Sequence, residues 1–166
     1  MADFETAIAL TLENEGGFQK DPNDPGNWTG GHVGIGELVG TKYGISAADH
    51  PGVDIANLTT DQATEIYREE YWKALYSQID DQGVANKLFD EGVNLGVGTA
   101  VRILQNVLNI DQDGAFGQET LSAVNQAGPG LLDEYKAALV ARYTAIATSR
   151  PNEAKYLPDW LRRANS

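Results

Sequence analysis

The chain has 166 residues, no cysteine and a formal net charge of −12. This length suits one compact domain, or a domain with a small addition, and it is enough to bury a hydrophobic core. The lack of cysteine excludes disulfides and thiol chemistry, and the strong negative charge disfavours binding to nucleic acid or to an anionic membrane.

The first predicted element is a helix from Phe4 to Glu15, with Asp3 as its N-cap. At about 100° per residue, Glu15 falls within the apolar stripe of this helix and Glu13 falls on the opposite face. A half-buried carboxyl group holds its proton more readily, which favours Glu15 as a general acid. The plain alternative is a helix that ends in Gly-Gly with a chance acid in its last turn. The stripe comprises Phe4, Ile8, Thr11 and Leu12.

A turn-rich segment, Asp21-Pro22-Asn23-Asp24-Pro25-Gly26, follows this helix directly. It supplies a second carboxylate on a loop that can fold back over the helix end. One protonated and one ionised carboxyl group are what cleavage of a glycosidic bond requires. Asx turns beside proline would also account for Asp21 and Asp24 without any catalysis.

The rest of the chain is predicted to be mostly helical. Residues 16 to 44 indicate a Gly-rich loop with at most a short hairpin. Thr59 to Gln62 form a capping box that opens a second helix, whose apolar face is predicted to continue to Leu75. The later helices are predicted from about 85 to Gly96 and around 100–108, 117–125 and 131–148, with a short last helix that has Pro158 in its first turn.

Two residues of the helical part are candidates for substrate contact. Trp72 can stack on a sugar, although core packing is the default interpretation of such an aromatic residue. Asn94 lies one residue past an apolar stripe and can bind substrate or cap the turn that follows. Asp111 to Gly114 resemble the start of a calcium loop, but the later ligands are missing, so this segment is predicted to be a turn.

Other chemistries lack support in the sequence. The two histidines, His32 and His50, have no zinc-ligand spacing, and no Gly-x-Ser-x-Gly element is present. Gly34-Ile35-Gly36 lacks the lysine and flanking elements of a phosphate loop. We therefore expect neither a metal nor a cofactor.

Motifs follow one another in a fixed order along almost the whole chain. They include Glu15-Gly16-Gly17-Phe18, Asp21-Pro22, Asp24-Pro25-Gly26, Thr41-Lys42-Tyr43-Gly44-Ile45-Ser46, Tyr71-Trp72, Val93-Asn94-Leu95-Gly96, Leu104-Gln105, Asp113-Gly114 and Trp160-Leu161-Arg162-Arg163. Together they resemble glycoside hydrolase family 108, a family of phage-type N-acetylmuramidases, and the later ones resemble a peptidoglycan-binding module. One departure is the segment from Asn27 to Gly40, here called the inserted segment, which separates Asp-Pro-Gly from the Thr-x-x-Gly-Ile element and can reshape or cover the cleft.

The resemblance implies a mainly α, lysozyme-like fold with the Gly-rich loop or hairpin near the active site. It implies a catalytic part over 1–96 and a peptidoglycan-binding-like part over 97–166, the two forming one compact domain as an alternative. Glu15 matches the catalytic acid of the family, Asp24 a second carboxylate and Thr41 a threonine that helps to hold the water or the second acid. Thr29 is an alternative to Thr41 for this role, because it lies closer to Asp24 in the sequence. The expected substrate contacts are Phe18, Tyr43, Trp72 and Asn94.

The implied activity is hydrolysis of the β-1,4 bond between N-acetylmuramic acid and N-acetylglucosamine in peptidoglycan. A lytic transglycosylase and a non-catalytic glycan-binding component of a phage or a secretion system are the alternatives. The N-terminus has no basic n-region and no apolar run of membrane-spanning length. We therefore expect a monomer made in the bacterial cytoplasm, without stable membrane insertion, that a holin or an export system releases to the cell wall.

Overall fold

The computed structural model describes residues 1–14 and 17–166, without the side chains of Glu13 and Asn14. The described chain is mainly helical and lysozyme-like, as predicted, with one small antiparallel sheet. The elements in chain order are α1 (Phe4–Asn14), β1 (Thr41–Lys42), β2 (Ile45–Ser46), α2 (Thr60–Tyr71), α3 (Gln82–Leu95), α4 (Val97–Val107), α5 (Gln118–Gln126), α6 (Leu131–Ser149) and α7 (Leu157–Asn165).

Contacts between residues divide the chain into two compact units. The helical unit comprises Met1–Ala7 and Tyr71–Ser166, and it contains α3 to α7. The loop unit comprises Ile8–Glu70 and contains the small sheet and most of α2.

Side-chain caps explain where several helices begin. Asp3 Oδ2 accepts a hydrogen bond from the Thr6 amide at 2.9 Å, which confirms the predicted N-cap of α1. At α2 the Thr59 amide donates to Gln62 Oε1 at 2.9 Å, and the Gln62 amide donates to Thr59 Oγ1 at 3.2 Å. These reciprocal bonds are the predicted capping box.

The core of the helical unit is built from the apolar faces of α3, α4 and α6, with α5 and α7 packed beside them. An aromatic cluster extends it, in which Trp72 packs edge-on against Phe4, Tyr76 and Phe89 at centroid distances of 5.5 to 5.8 Å. The Tyr135 hydroxyl is buried and donates to the Ala100 carbonyl at 3.0 Å, which satisfies this polar group inside the core.

In the loop unit, β1 and β2 pair in register Thr41 with Ser46 and Lys42 with Ile45. The two residues between them, Tyr43 and Gly44, have φ values of 52° and 75°. Positive φ at both positions is typical of the type I′ turn of a two-residue hairpin. The predicted short hairpin in the Gly-rich segment is therefore confirmed.

The prediction that the second helix continues to Leu75 was wrong, because α2 ends at Tyr71. Leu75 lies in the turn that follows, where the Gln78 amide donates to its carbonyl at 3.0 Å. The indole of Trp72 packs into the aromatic cluster and donates to Ser77 Oγ at 3.0 Å. This tertiary packing overrides the local periodicity that favours a longer helix.

None of the described helices is both long and apolar enough to cross a membrane.

Candidate active site

Asp24 lies on the surface loop that follows α1, just before a short 3-10 turn at Pro25–Asn27. Its Oδ1 accepts from the Gly26 amide at 2.9 Å, which is the Asx turn that the sequence offered as an alternative. Its Oδ2 accepts from Gln19 Nε2, also at 2.9 Å. Both carboxylate oxygens thus have donors, so the group is held in one orientation.

Thr41 opens β1 and pairs with Gln19 through two backbone hydrogen bonds of 2.9 Å each. Its side-chain hydroxyl donates to Asn27 Oδ1 at 2.8 Å. Thr29, the other candidate, has a different role, because its Oγ1 accepts from the Glu37 amide at 2.9 Å within the inserted segment. Of the two threonines, Thr41 therefore belongs to the same hydrogen-bond network as Asp24.

Asn27 and Gln19 connect the two candidate residues. The Asn27 side chain is fully buried, and its Nδ2 donates to Gln19 Oε1 at 2.7 Å. A continuous series of side-chain hydrogen bonds therefore runs from Thr41 through Asn27 and Gln19 to Asp24. No local pattern in the sequence marks the side chains of Gln19 and Asn27 as part of a site, since only the pairing of residue 19 with residue 41 brings them together.

Gly40 makes this arrangement possible by allowing a close approach of backbone. Its φ is +118°, and a Cβ placed there would lie 2.6 Å from the Gln19 carbonyl oxygen and 2.8 Å from Cε2 of Phe18. A larger residue would push Gln19 away from Thr41. Phe18, a predicted substrate contact, covers Gly40 with its ring edge and is 45 % exposed, so it can meet a ligand.

Tyr43, another predicted substrate contact, lies at the tip of the hairpin with its ring beneath Lys42 Nζ, 5.3 Å from the centroid. Its backbone carbonyl accepts from the buried Tyr67 hydroxyl at 2.8 Å, which ties the hairpin to α2. The loop unit therefore holds Asp24, Thr41, Phe18 and Tyr43, while Glu15 lies outside the described residues.

The inserted segment forms a hairpin-like loop beyond this network. Trp28 and Leu38 pair across its base, and the Gly30 amide donates to the Ile35 carbonyl at 3.1 Å near its tip. Val33 and Ile35 are 54 % and 58 % exposed there. The idea that this segment reshapes or covers the cleft stays a prediction.

The other two predicted contacts belong to the helical unit. Trp72 is packed in the aromatic cluster, as the default interpretation had it. Asn94 Nδ2 donates to the Tyr143 hydroxyl at 2.5 Å, and both residues line a groove of about 270 Å³ with Trp160, whose ring stacks on Tyr143. Asn94 therefore contributes to a groove of the helical unit.

A larger groove of about 620 Å³ lies between α4 and α6. Thr99 and Arg142 line both grooves, and Arg102 lines the larger one as well. Two arginines in one groove stand out in a chain of formal net charge −12. Such a local positive field can attract acidic groups despite the overall charge.

The Asp111 to Gly114 segment is a turn in the structure. Asp113 Oδ1 accepts from the Ala115 amide at 2.8 Å and from Gln105 Nε2 at 2.7 Å. The bond from Ala115, followed by the one from Gln105, lowers the pKa of this carboxyl group. Among residues 1–14 and 17–166, no cluster of three or more His, Asp or Glu side chains could hold a metal ion.

Comparison with known proteins agrees with this architecture. The family model Glycosyl hydrolase 108 matches residues 8–96, and a model described as Predicted Peptidoglycan domain matches residues 99–165. A solved structure titled "Structure of Brucella abortus SagA" aligns over 97 % of this chain and 92 % of its own, with 28 % identity and a TM-score of 0.68. No curated protein matches the chain.

These findings define a glycoside hydrolase that carries a peptidoglycan-related segment. The chain belongs to glycosyl hydrolase family 108, because the family model covers more than half of it. The predicted resemblance is thereby confirmed. The two family models and the hydrogen-bonded loop together support a role in peptidoglycan hydrolysis or binding.

Proposed function

We propose that the protein is an N-acetylmuramidase, which hydrolyses the β-1,4 bond between N-acetylmuramic acid and N-acetylglucosamine. The observation that carries this proposal is the network that joins Asp24 to Thr41 in the loop unit of a family 108 chain. It provides a carboxylate held by two donors and a hydroxyl joined to it through two side-chain amides, and a fixed carboxylate is a part that hydrolysis of a glycoside needs.

Glu15 is proposed as the general acid. Helical phase predicts it on the face of α1 on which Phe4, Ile8 and Thr11 are buried. It would protonate the glycosidic oxygen as the C1–O bond breaks, while Asp24 with Thr41 either stabilises the oxocarbenium-like transition state or positions the attacking water. Phe18 and Tyr43 would contact the sugars.

The test of this assignment compares Glu15→Gln with Glu13→Gln in a turbidity assay on purified cell walls. Glu13 is the matched control, because it is the same residue type two positions earlier in the chain and is predicted to face away. We expect Glu15→Gln to lose nearly all activity, with an unchanged melting temperature, and Glu13→Gln to keep it. Activity like that of the wild type in Glu15→Gln would contradict the assignment.

The helical unit is proposed to hold the wall polymer through the groove between α4 and α6. Arg102 and Arg142 would meet acidic groups of peptidoglycan there, and Asn94 and Trp160 in the adjoining groove would meet sugars or amides. This explains how a strongly acidic protein can bind an anionic wall, since attraction by a local patch can exceed repulsion by distant charges when salt screens the latter.

Binding of walls by the double variant Arg102→Gln, Arg142→Gln tests this groove. Arg162→Gln is the control, because the Arg162 side chain is 78 % exposed and forms an ion pair with Asp159, three residues before it in the same helix. We expect weaker pull-down by the double variant and unchanged pull-down by the control. Equal binding of all three proteins would remove the groove from the proposal.

A non-catalytic glycan-binding protein and a lytic transglycosylase remain the competing functions. The former would bind walls without releasing fragments. The latter would use Glu15 alone and would release fragments with anhydro ends. Delivery by a holin or an export system, and action at the cell wall as a monomer, belong to the same proposal.

A further inference from the structure

The network between Thr41 and Asp24 has a direction that the structure determines. Its members are Thr41, Asn27, Gln19 and Asp24, and each link is 2.7 to 2.9 Å long. Which amide atom donates and which accepts decides what the two outer groups can offer a ligand. We call this series of four residues the amide relay.

The backbone of Asp21 fixes both amides. Its carbonyl oxygen is 2.9 Å from Asn27 Nδ2, and its amide nitrogen is 3.0 Å from Gln19 Oε1. A carbonyl can only accept and a backbone N–H can only donate, so neither side-chain amide can be turned over without losing a bond. Asn27 is fully buried, which makes such a loss costly.

The orientation of the two amides then determines which atom faces Thr41 and which atom faces Asp24. Because Asn27 Nδ2 must donate, Asn27 Oδ1 is the atom that faces Thr41, and the Thr41 hydroxyl must give its single hydrogen to it. Because Gln19 Oε1 must accept, Gln19 Nε2 is the atom that donates to Asp24. Any water or substrate group that meets Thr41 must therefore donate to its oxygen.

We propose that Gln19 and Asn27 are positioning residues of the hydrolytic site. Asn27 holds the Thr41 hydroxyl as a hydrogen-bond acceptor, and Gln19 holds the carboxylate of Asp24 in a fixed orientation. Both ends of the relay then present hydrogen-bond acceptors, a hydroxyl oxygen at Thr41 and a carboxylate at Asp24. This inference rests on the proposed function, and it assigns roles to two residues for which that function gives none.

Gln19→Glu is the variant that separates positioning from packing. It keeps the oxygen that accepts from Asn27 and Asp21, and it replaces the donor to Asp24 with a second carboxylate oxygen. Two carboxylates in hydrogen-bond contact repel each other unless they share a proton, so the variant pair is expected to bind a proton that the wild-type amide and carboxylate do not. The other carboxylate of the loop, Asp21, is already bound through Oδ1 to the amide of Asn23 at 2.9 Å.

Gln62→Glu is the matched control, because it makes the same chemical change in the same unit. Gln62 sits in the capping box of α2, where glutamate serves as well as glutamine. We expect the acid limb of the kcat/KM profile of Gln19→Glu to move by about one pH unit or more to higher pH. The profile of Gln62→Glu should match that of the wild type.

The other end of the relay has its own pair of variants, which keeps the inference testable if Gln19→Glu does not fold. Thr41→Val removes the hydroxyl, and Thr41→Ser retains it. We expect Thr41→Val to lose about 10²-fold in kcat with little change in KM, and Thr41→Ser to recover most of it. Equal activity of the two variants would overturn the inference, as would a profile of folded Gln19→Glu that superimposes on the wild-type one.

Failure of this inference is distinguishable from failure of the proposed function. If Glu15→Gln is inactive while Gln19→Glu and Thr41→Val behave as the wild type, the muramidase assignment through Glu15 stands, and the relay is removed together with the role proposed for Thr41. If Glu15→Gln stays active, the proposed function fails, and with it the site that the relay would serve.

Discussion

Glu91 is a fully buried carboxyl group in α3, inside the helical unit. Its Oε2 accepts from the Tyr143 hydroxyl, and no donor among the described residues reaches its Oε1. Burial raises the pKa of Glu91, against a smaller opposing effect of that hydrogen bond and of the charges on Lys87 and Arg163. This residue therefore links the stability of the helical unit to pH.

The first prediction concerns Glu91→Gln. Because the pKa of Glu91 is higher in the folded chain than in the unfolded chain, the wild type loses stability as pH rises from the unfolded value through the folded one. Glutamine keeps an acceptor for Tyr143 and has no charge. The free energy of unfolding of the variant should therefore rise relative to that of the wild type as pH increases through this range, and this difference should disappear at lower pH.

Urea unfolding at a series of pH values from about 4 to 8 measures this effect. Glu69→Gln is the control, because it makes the same chemical change at an exposed position. Parallel stability curves for the wild type and Glu91→Gln would show that burial does not raise the pKa of this group.

At the scale of elements, the cap of α1 is tested by Asp3→Ala and Asp3→Asn. Alanine removes the bond from the Thr6 amide to Asp3 Oδ2, and asparagine keeps an oxygen in that place. We expect the alanine variant to lose about 1 kcal/mol in the free energy of unfolding, and the asparagine variant much less. Equal losses would mean that the cap does not stabilise α1.

The inserted loop gives a second prediction at this scale, based on two glycines of similar backbone conformation. Gly36 and Gly34 have φ values of +79° and +81°, but a Cβ at Gly36 would lie 2.3 Å from Thr29 Oγ1, whereas a Cβ at Gly34 meets nothing within 4 Å. Alanine at either position is strained by about 1 to 2 kcal/mol. Gly36→Ala must also displace Thr29.

Hydrogen exchange of the Thr29 and Gly30 amides reports on this loop, because both donate across it. We expect faster exchange in Gly36→Ala than in Gly34→Ala. Exchange at the same rate in the two variants would show that contact with Thr29 does not hold the loop.

At the scale of the whole molecule, the sequence predicted the helices well because each has its own local signals. Asp3 and the Thr59–Gln62 capping box mark helix starts, and both are confirmed. The end of α2 was missed, since packing of Trp72 in the aromatic cluster decides it. Propensity is a weak guide where tertiary contacts compete with it.

The candidate site was only partly visible in the sequence for the same reason. Asp24 and Thr41 follow from motifs, but the amide relay depends on the pairing of Gln19 with Thr41 across the inserted loop. The groups around Glu91 likewise come together only where α3, α6 and α7 pack against one another. Tyr143 of α6 donates to Glu91, and Arg163 of α7 donates to both oxygens of Asp90 at 2.9 and 3.1 Å. Neither arrangement has a local pattern.

The central claim is that this family 108 chain hydrolyses peptidoglycan as a muramidase through Glu15. Its most direct test is digestion of purified peptidoglycan from several wall types by the wild type and Glu15→Gln, with the products identified by mass spectrometry. We expect fragments with a reducing N-acetylmuramic acid end from the wild type and none from Glu15→Gln. Anhydro ends, lighter by one water, or no fragments from either protein would contradict it.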